Sequence, residues 1–207
     1  MLFFFHVLQF LAYLPLKLIY PTRIIGRKNL PKGRCVISVN HTSSLDAPLL
    51  AANLFEKKYF LAKEEIFRNK FKGGFVKFLG GMPVNRVQPS LEQIKNALKV
   101  LKNNKKLVVF PEGTRRGDKV DKGEMGETKN GVAFFAVKTK SPVVPVWLNT
   151  KPKLFRLTRI IIGEPYELTD FYDRKLDESA IKESGQIINS KILELGKKYT
   201  NGKVRHK

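Results

Sequence analysis

Four short apolar runs limit the fold most strongly: Cys35-Val36-Ile37-Ser38-Val39, Lys106-Leu107-Val108-Val109-Phe110, Pro142 to Leu148, and Arg159-Ile160-Ile161-Ile162. They are rich in β-branched residues and bounded by turn formers, which is the character of buried strands. Thr22-Arg23-Ile24-Ile25 and Lys58-Tyr59-Phe60-Leu61-Ala62 extend the set. Helical patterns lie between them. Ser90 and Gln93 fit a capping box ahead of a stripe formed by Leu91, Ile94, Leu98 and Leu101. Val132 to Thr139 and Glu178 to Lys197 are predicted as further helices. Strands alternating with helices over 207 residues predict one α/β domain, a mixed β-sheet flanked by helices, spanning 21–198.

Composition narrows the compartment and the partners. The single Cys35 sits in an apolar run, so no disulfide framework is available, and a reducing compartment is expected. Lys and Arg number 39 against 18 Asp and Glu, a formal net charge of +21. Such a chain is drawn to polyanions: nucleic acid, an anionic membrane face, phosphorylated small molecules or acidic carrier proteins. No nucleic-acid-binding motif accompanies the charge, so no nucleic-acid partner is expected.

Residues 1–20 favour the membrane. This segment is apolar apart from His6, Gln9 and Lys17, and it lacks the leading basic region and cleavage site of a signal peptide. Pro15 and Lys17 make it short for a spanning helix, which needs about 20 apolar residues. A membrane-associating helix that dips into one leaflet or lies at the interface is expected, with a spanning helix and a core helix as alternatives. Arg23, Arg27 and Lys28 follow at the position of anionic headgroups, and a basic tail closes the chain over 199–207. The expected location is the cytoplasmic face of the cell membrane.

The chemistry concentrates in two loops that follow buried strands. Asn40-His41-Thr42-Ser43-Ser44-Leu45-Asp46 follows the first run. On a continuous helix His41 and Asp46 would lie about 140° apart, but a strand–turn–helix path brings them together. Asp46 can then accept from one imidazole nitrogen and leave the other as a base. Asn40, Thr42, Ser43 and Ser44 are of the type that caps helix starts. His6 and His206 lie in the terminal segments, so His41 is the one histidine inside the expected domain and no metal site is expected. The second loop is Phe110-Pro111-Glu112-Gly113-Thr114-Arg115-Arg116-Gly117, whose arginines suit phosphate oxygens, while Glu112 suits a substrate hydroxyl or an arginine. In the stretch from Lys63 to Arg86, Phe67, Phe71, Phe75 and Phe78 recur at helical spacing with glycine pairs among them. Core packing, an acyl groove and a membrane contact are all open to that stretch.

Together these blocks resemble the 1-acylglycerol-3-phosphate acyltransferases and their glycerolipid acyltransferase relatives. Asn40 to Asp46 is similar to the family's N-H-x-S-x-x-D motif, and Lys63 to Arg86, Phe110 to Arg115 and Val144-Pro145-Val146 follow in the family's order. Lys70 departs from a frequent proline and Asn85 from a frequent aspartate. The resemblance implies that His41, oriented by Asp46, takes the proton of a glycerol hydroxyl, so that the alkoxide attacks an acyl thioester of CoA or acyl-carrier protein without a covalent acyl-enzyme. It further implies Lys63, Arg86 and Arg115 on the phosphate of a lysophosphatidic acid acceptor, and Glu112, Gly113 and Thr114 shaping the acceptor site. Val144, Pro145 and Val146 would lie near the acyl chain or support the site, and no cofactor is implied. Three alternatives stay open: another lysophospholipid as acceptor, an esterase using Ser43 or Ser44, and a basic membrane-binding protein without catalysis.

Overall fold

The apolar runs meet in the middle of one sheet. The computed structural model of the chain describes residues 14–54, 58–85, 87–113 and 131–200. Within them, β1 (Thr22–Ile25), β2 (Cys35–Val39), β3 (Lys58–Lys63), β4 (Gly81–Val84), β5 (Lys106–Val109), β6 (Val143–Leu148) and β7 (Thr158–Ile162) form a seven-stranded sheet ordered β1-β7-β6-β2-β5-β3-β4. Neighbours from β6 to β4 are parallel, whereas β7 runs antiparallel to β6 and carries β1 parallel to itself. The sheet is therefore mixed, as the sequence led one to expect.

Parallel strands require covering on both faces, and the side-chain alternation of each strand supplies two apolar surfaces. Val36, Leu107, Val109, Val143 and Trp147 pack against α3 (Leu91–Lys102), α4 (Gly131–Thr139) and α5 (Glu178–Thr200). Cys35, Ile37, Val39, Val108, Val144 and Val146 pack instead with Leu50, Ala51 and Leu54 of α1 (Asp46–Asn53). The Ser90 capping box is formed in both directions. β2 is thus central in order and covered above and below. The chain leaves it at the same sheet end where β5, β6 and β3 stop and where antiparallel β7 and β1 begin.

Several expectations require correction. α5 continues to Thr200 because Tyr199 packs on the core, so the tail does not begin at residue 199. The phenylalanine stripe is broken: Phe67 lies in a 3-10 turn (Glu64–Arg68), and α2 (Lys70–Phe78) starts afresh at the N-cap Asn69, whose side chain accepts from Lys72 N. Phe71, Phe75 and Phe78 are exposed and do not join the core. Of the expected membrane-associating helix over 1–20, residues 14–19 are helical and residues 1–13 lie outside the described residues. No helix among the described residues is long and apolar enough to cross a membrane, so the spanning alternative finds no support there.

α5 seats on the sheet through a glycine. A Cβ on Gly196 would lie 2.8 Å from the Trp147 indole, which is fully buried. Gly→Ala inside a helix ordinarily stabilises by roughly 0.5–1 kcal/mol. At Gly196 the sign should reverse: Gly196→Ala is expected to cost about 1–3 kcal/mol through overpacking. Urea unfolding measures this, and an unchanged or raised midpoint would contradict the packing described.

Candidate active site

Beyond β2 the chain turns through Asn40 to Leu45 into α1, and the Asp46 carboxylate folds back onto that turn. Its Oδ2 accepts from His41 Nδ1 at 2.8 Å, from Thr42 N at 2.6 Å and from Ser43 N at 2.8 Å, and its Oδ1 accepts from Thr42 Oγ1 at 2.8 Å. Asp46 is 0% and His41 6% exposed. The expectation that serine or threonine caps the helix is corrected here. The N-cap is Leu45 without a side-chain cap, Ser43 Oγ accepts from Leu45 N at 3.3 Å, and Asp46 takes the turn's amides from inside the helix. An ionised carboxylate only accepts, so a neutral imidazole in this pair carries its proton on Nδ1 and its lone pair on Nε2.

The second loop braces the first. β5 pairs with β2 up to Ser38 and Val109, so both strands deliver their loops side by side. Gly113 closes the turn with φ of 63°, a left-handed conformation suited to glycine, and its N–H donates to Phe110 O at 3.1 Å. The turn carries Glu112 to the His41 backbone, where Oε1 accepts from His41 N at 2.7 Å. Glu112 is buried, and the His41 amide is one partner of its carboxylate. Phe110 stacks on the His41 ring with centroids 4.3 Å apart. On the other side of β2, Asn40 Nδ2 donates to Leu148 O at 3.0 Å and Asn40 Oδ1 accepts from Leu148 N at 2.7 Å.

The roles of Asn40, Thr42 and Phe110 were not foreseen. An asparagine at the end of a central strand was the available signal for the first, because its amide can imitate one more residue of ladder.

Other expected residues divide. Lys63 ends β3 and pairs with Glu65 at 2.9 Å, both half exposed. The same pairing and backbone hydrogen bonding lower the Glu65 pKa. Val144 and Val146 are buried core residues of β6, beside β2 in the sheet. Pro145 is tolerated in this inner strand because the β6–β7 register begins only at Val146 and Ile162, so its missing N–H falls at the ladder's end, where Gly163 N donates to Pro145 O at 2.8 Å. Arg86, Thr114 and Arg115 lie outside the described residues. Asn85 donates to Glu64 Oε1 at 3.0 Å, a bond an aspartate could not donate.

His41 lines a cavity of about 500 Å³ whose walls include Phe60, Leu61, Ile66, Phe75 and Leu79. Among the described residues no group of three or more His, Cys, Asp or Glu is placed to hold a metal ion. The strongly shifted titrations lie elsewhere. Burial pushes Tyr166 above the ordinary tyrosine range, and burial with Glu167 pushes Tyr172 up to about 12. Tyr166 bonds Val143 at the start of β6, the sheet end opposite His41.

Comparison with known proteins agrees with this geometry. The family model described as Acyltransferase matches residues 21–149. The 1-acyl-sn-glycerol-3-phosphate acyltransferase of Bacillus subtilis is 30% identical over 183 residues, spanning 85% of this chain and 88% of the relative. That of Streptococcus pneumoniae is 28% identical over 142 residues, spanning 66% of this chain and 50% of the relative. The crystal structure of the 1-acyl-sn-glycerophosphate acyltransferase PlsC from Thermotoga maritima aligns with a TM-score of 0.67 at 25% identity, covering 99% of this chain and 81% of that one. A buried His–Asp pair lies beside a largely apolar cavity at the strand ends of an α/β sheet. The chain belongs to the acyltransferase family.

The Glu112 carboxylate holds the His41 backbone amide. Glu112→Ala is expected to lower kcat about 10²-fold by letting the base drift, with little change in acceptor KM. Glu112→Gln, which keeps an acceptor oxygen, should recover most of the loss. A change confined to acceptor KM would instead place Glu112 on the substrate.

Proposed function

We propose that the enzyme transfers a fatty acyl group from a thioester to the free hydroxyl of 1-acylglycerol 3-phosphate, giving phosphatidic acid. One observation carries the reading: the 2.8 Å His41–Asp46 bond beside a cavity walled largely by apolar side chains. The names printed for the relatives in Bacillus subtilis and Streptococcus pneumoniae support the choice of acceptor.

The residues suggest a direct transfer. His41 Nε2 takes the proton of the glycerol hydroxyl as its oxygen bonds to the thioester carbonyl carbon. The tetrahedral adduct then collapses, the carbon–sulfur bond breaks, and the departing thiolate takes the proton from the imidazolium. Ester and free thiol result. Asp46 stabilises the imidazolium between these steps, as a buried carboxylate held by several donors can. The cavity suits an acyl chain, and a chain of charge +21 suits a phosphorylated acceptor, with Lys63, Arg86 and Arg115 proposed on its phosphate. The donor is an acyl thioester of CoA or acyl-carrier protein. The enzyme works at an anionic membrane surface, on the cytoplasmic face, because both acceptor and product are lipids. A serine esterase fits the local bonding less well, since Ser43 Oγ is engaged with Leu45 N.

Purified protein in detergent should form phosphatidic acid from lysophosphatidic acid and at least one of the two donors, as read by mass spectrometry. His41→Ala should lower kcat on the order of 10³-fold in a folded protein, Asp46→Asn on the order of 10²-fold, and Ser44→Ala should leave an active enzyme. Near-normal turnover by His41→Ala would exclude the proposed base. Product from other lysolipids alone would exclude this acceptor.

A further inference from the structure

Helix α2 carries its apolar stripe on the outside. At roughly 100° per residue, Phe71, Phe75 and Phe78 fall within about 60° of one another, and Gly73 and Val76 lie on the opposite side. The glycine side is the packed one: Gly73 is buried, and a Cβ there would stand 2.8 Å from Phe67 Cα. The phenylalanines are exposed, Phe71 by 91%, Phe75 by 56% and Phe78 by 38%, with Phe75 at the edge of the His41 cavity. A surface helix ordinarily turns such a stripe inward, and a contiguous exposed apolar face marks an interaction site.

The occupant is indicated by charge and by position. Lys70, Lys72 and Lys77 flank the stripe, and α2 contains no acidic residue. An aromatic face bordered by lysines matches an anionic lipid surface, where rings enter the acyl region and ammonium groups stay with headgroups. α2 also begins at the catalytic end of the sheet, following β3 through the 3-10 turn. Across the same end, Leu18, Leu154 and Phe155 are exposed, and Phe155 N donates to Ile19 O at 2.7 Å just before β1 and β7 start. His41 follows β2, between these two apolar flanks.

We infer that α2 is a bilayer-docking surface, with the Phe71, Phe75 and Phe78 face inserted into an anionic leaflet and Lys70, Lys72 and Lys77 at its headgroups. Because Lys72, Phe75 and Val76 also line the His41 cavity, docking sets that cavity against the lipid phase. The inference goes beyond the choice of reaction and acceptor, and its test needs no turnover.

The chain's single tryptophan, Trp147, is fully buried, so a Phe71→Trp variant reports from α2 over a constant background. Full-length Phe71→Trp is mixed with phosphatidylglycerol vesicles whose acyl chains are brominated, and co-sedimentation confirms binding. Its added emission should shift to the blue and be quenched, while the unsubstituted protein's emission is not. Phe71→Ser should partition about tenfold more weakly while keeping its activity on substrates in detergent. Lys70→Gln with Lys77→Gln should weaken binding to anionic vesicles alone. Unquenched emission from vesicle-bound Phe71→Trp, or unchanged partition of Phe71→Ser, would overturn the docking surface. Equal quenching by neutral phosphatidylcholine vesicles would overturn its anionic selectivity.

Discussion

The site depends on one buried charge. The Asp46 carboxylate, with no solvent exposure, accepts from the imidazole, two backbone amides and a hydroxyl. A lone carboxylate in that position would be costly to bury, and convergent donors make the ionised form tolerable. They also make it informative for folding. The turn between β2 and α1 can close in this way only if His41, Thr42 and Ser43 present their donors to one point, so turn geometry and imidazole orientation are the same constraint.

The fold keeps that turn still by placing it at the centre. β2 is held by β5 on one side and β6 on the other, and a side-chain tie joins its end to each neighbour. Glu112 reaches from the loop after β5 to the His41 amide, and Asn40 reaches from β2 to both backbone groups of Leu148. Phe110 covers the ring. A base that must lie within hydrogen-bond reach of a hydroxyl gains rate from being held there beforehand, and these contacts hold backbone and ring independently.

Much of this was legible in the residues. The apolar runs became strands because β-branched sequences too short for stable helices bury well between helix layers, and the Ser90–Gln93 capping box formed because its signal is local. The meeting of His41 and Asp46 was legible because a strand–turn–helix path admits few geometries. Long-range partners were not. Nothing near Glu112 in sequence says that it accepts from His41 N, 71 residues away, since that depends on β5 inserting beside β2. Helical spacing of the phenylalanines likewise says nothing about which way the stripe faces; a glycine packed against Phe67 decided it.

The central claim is that Asp46 fixes the His41 proton on Nδ1 and leaves Nε2 as the base. Nitrogen-15 NMR of histidine-labelled protein tests this directly, with the His41 signals assigned by their loss in His41→Ala. At a pH where the ring is neutral, a protonated Nδ1 and an unprotonated Nε2 are predicted, with Asp46→Asn altering that preference. A proton on Nε2, or equal population of both tautomers in the unsubstituted enzyme, would contradict the role assigned to the pair.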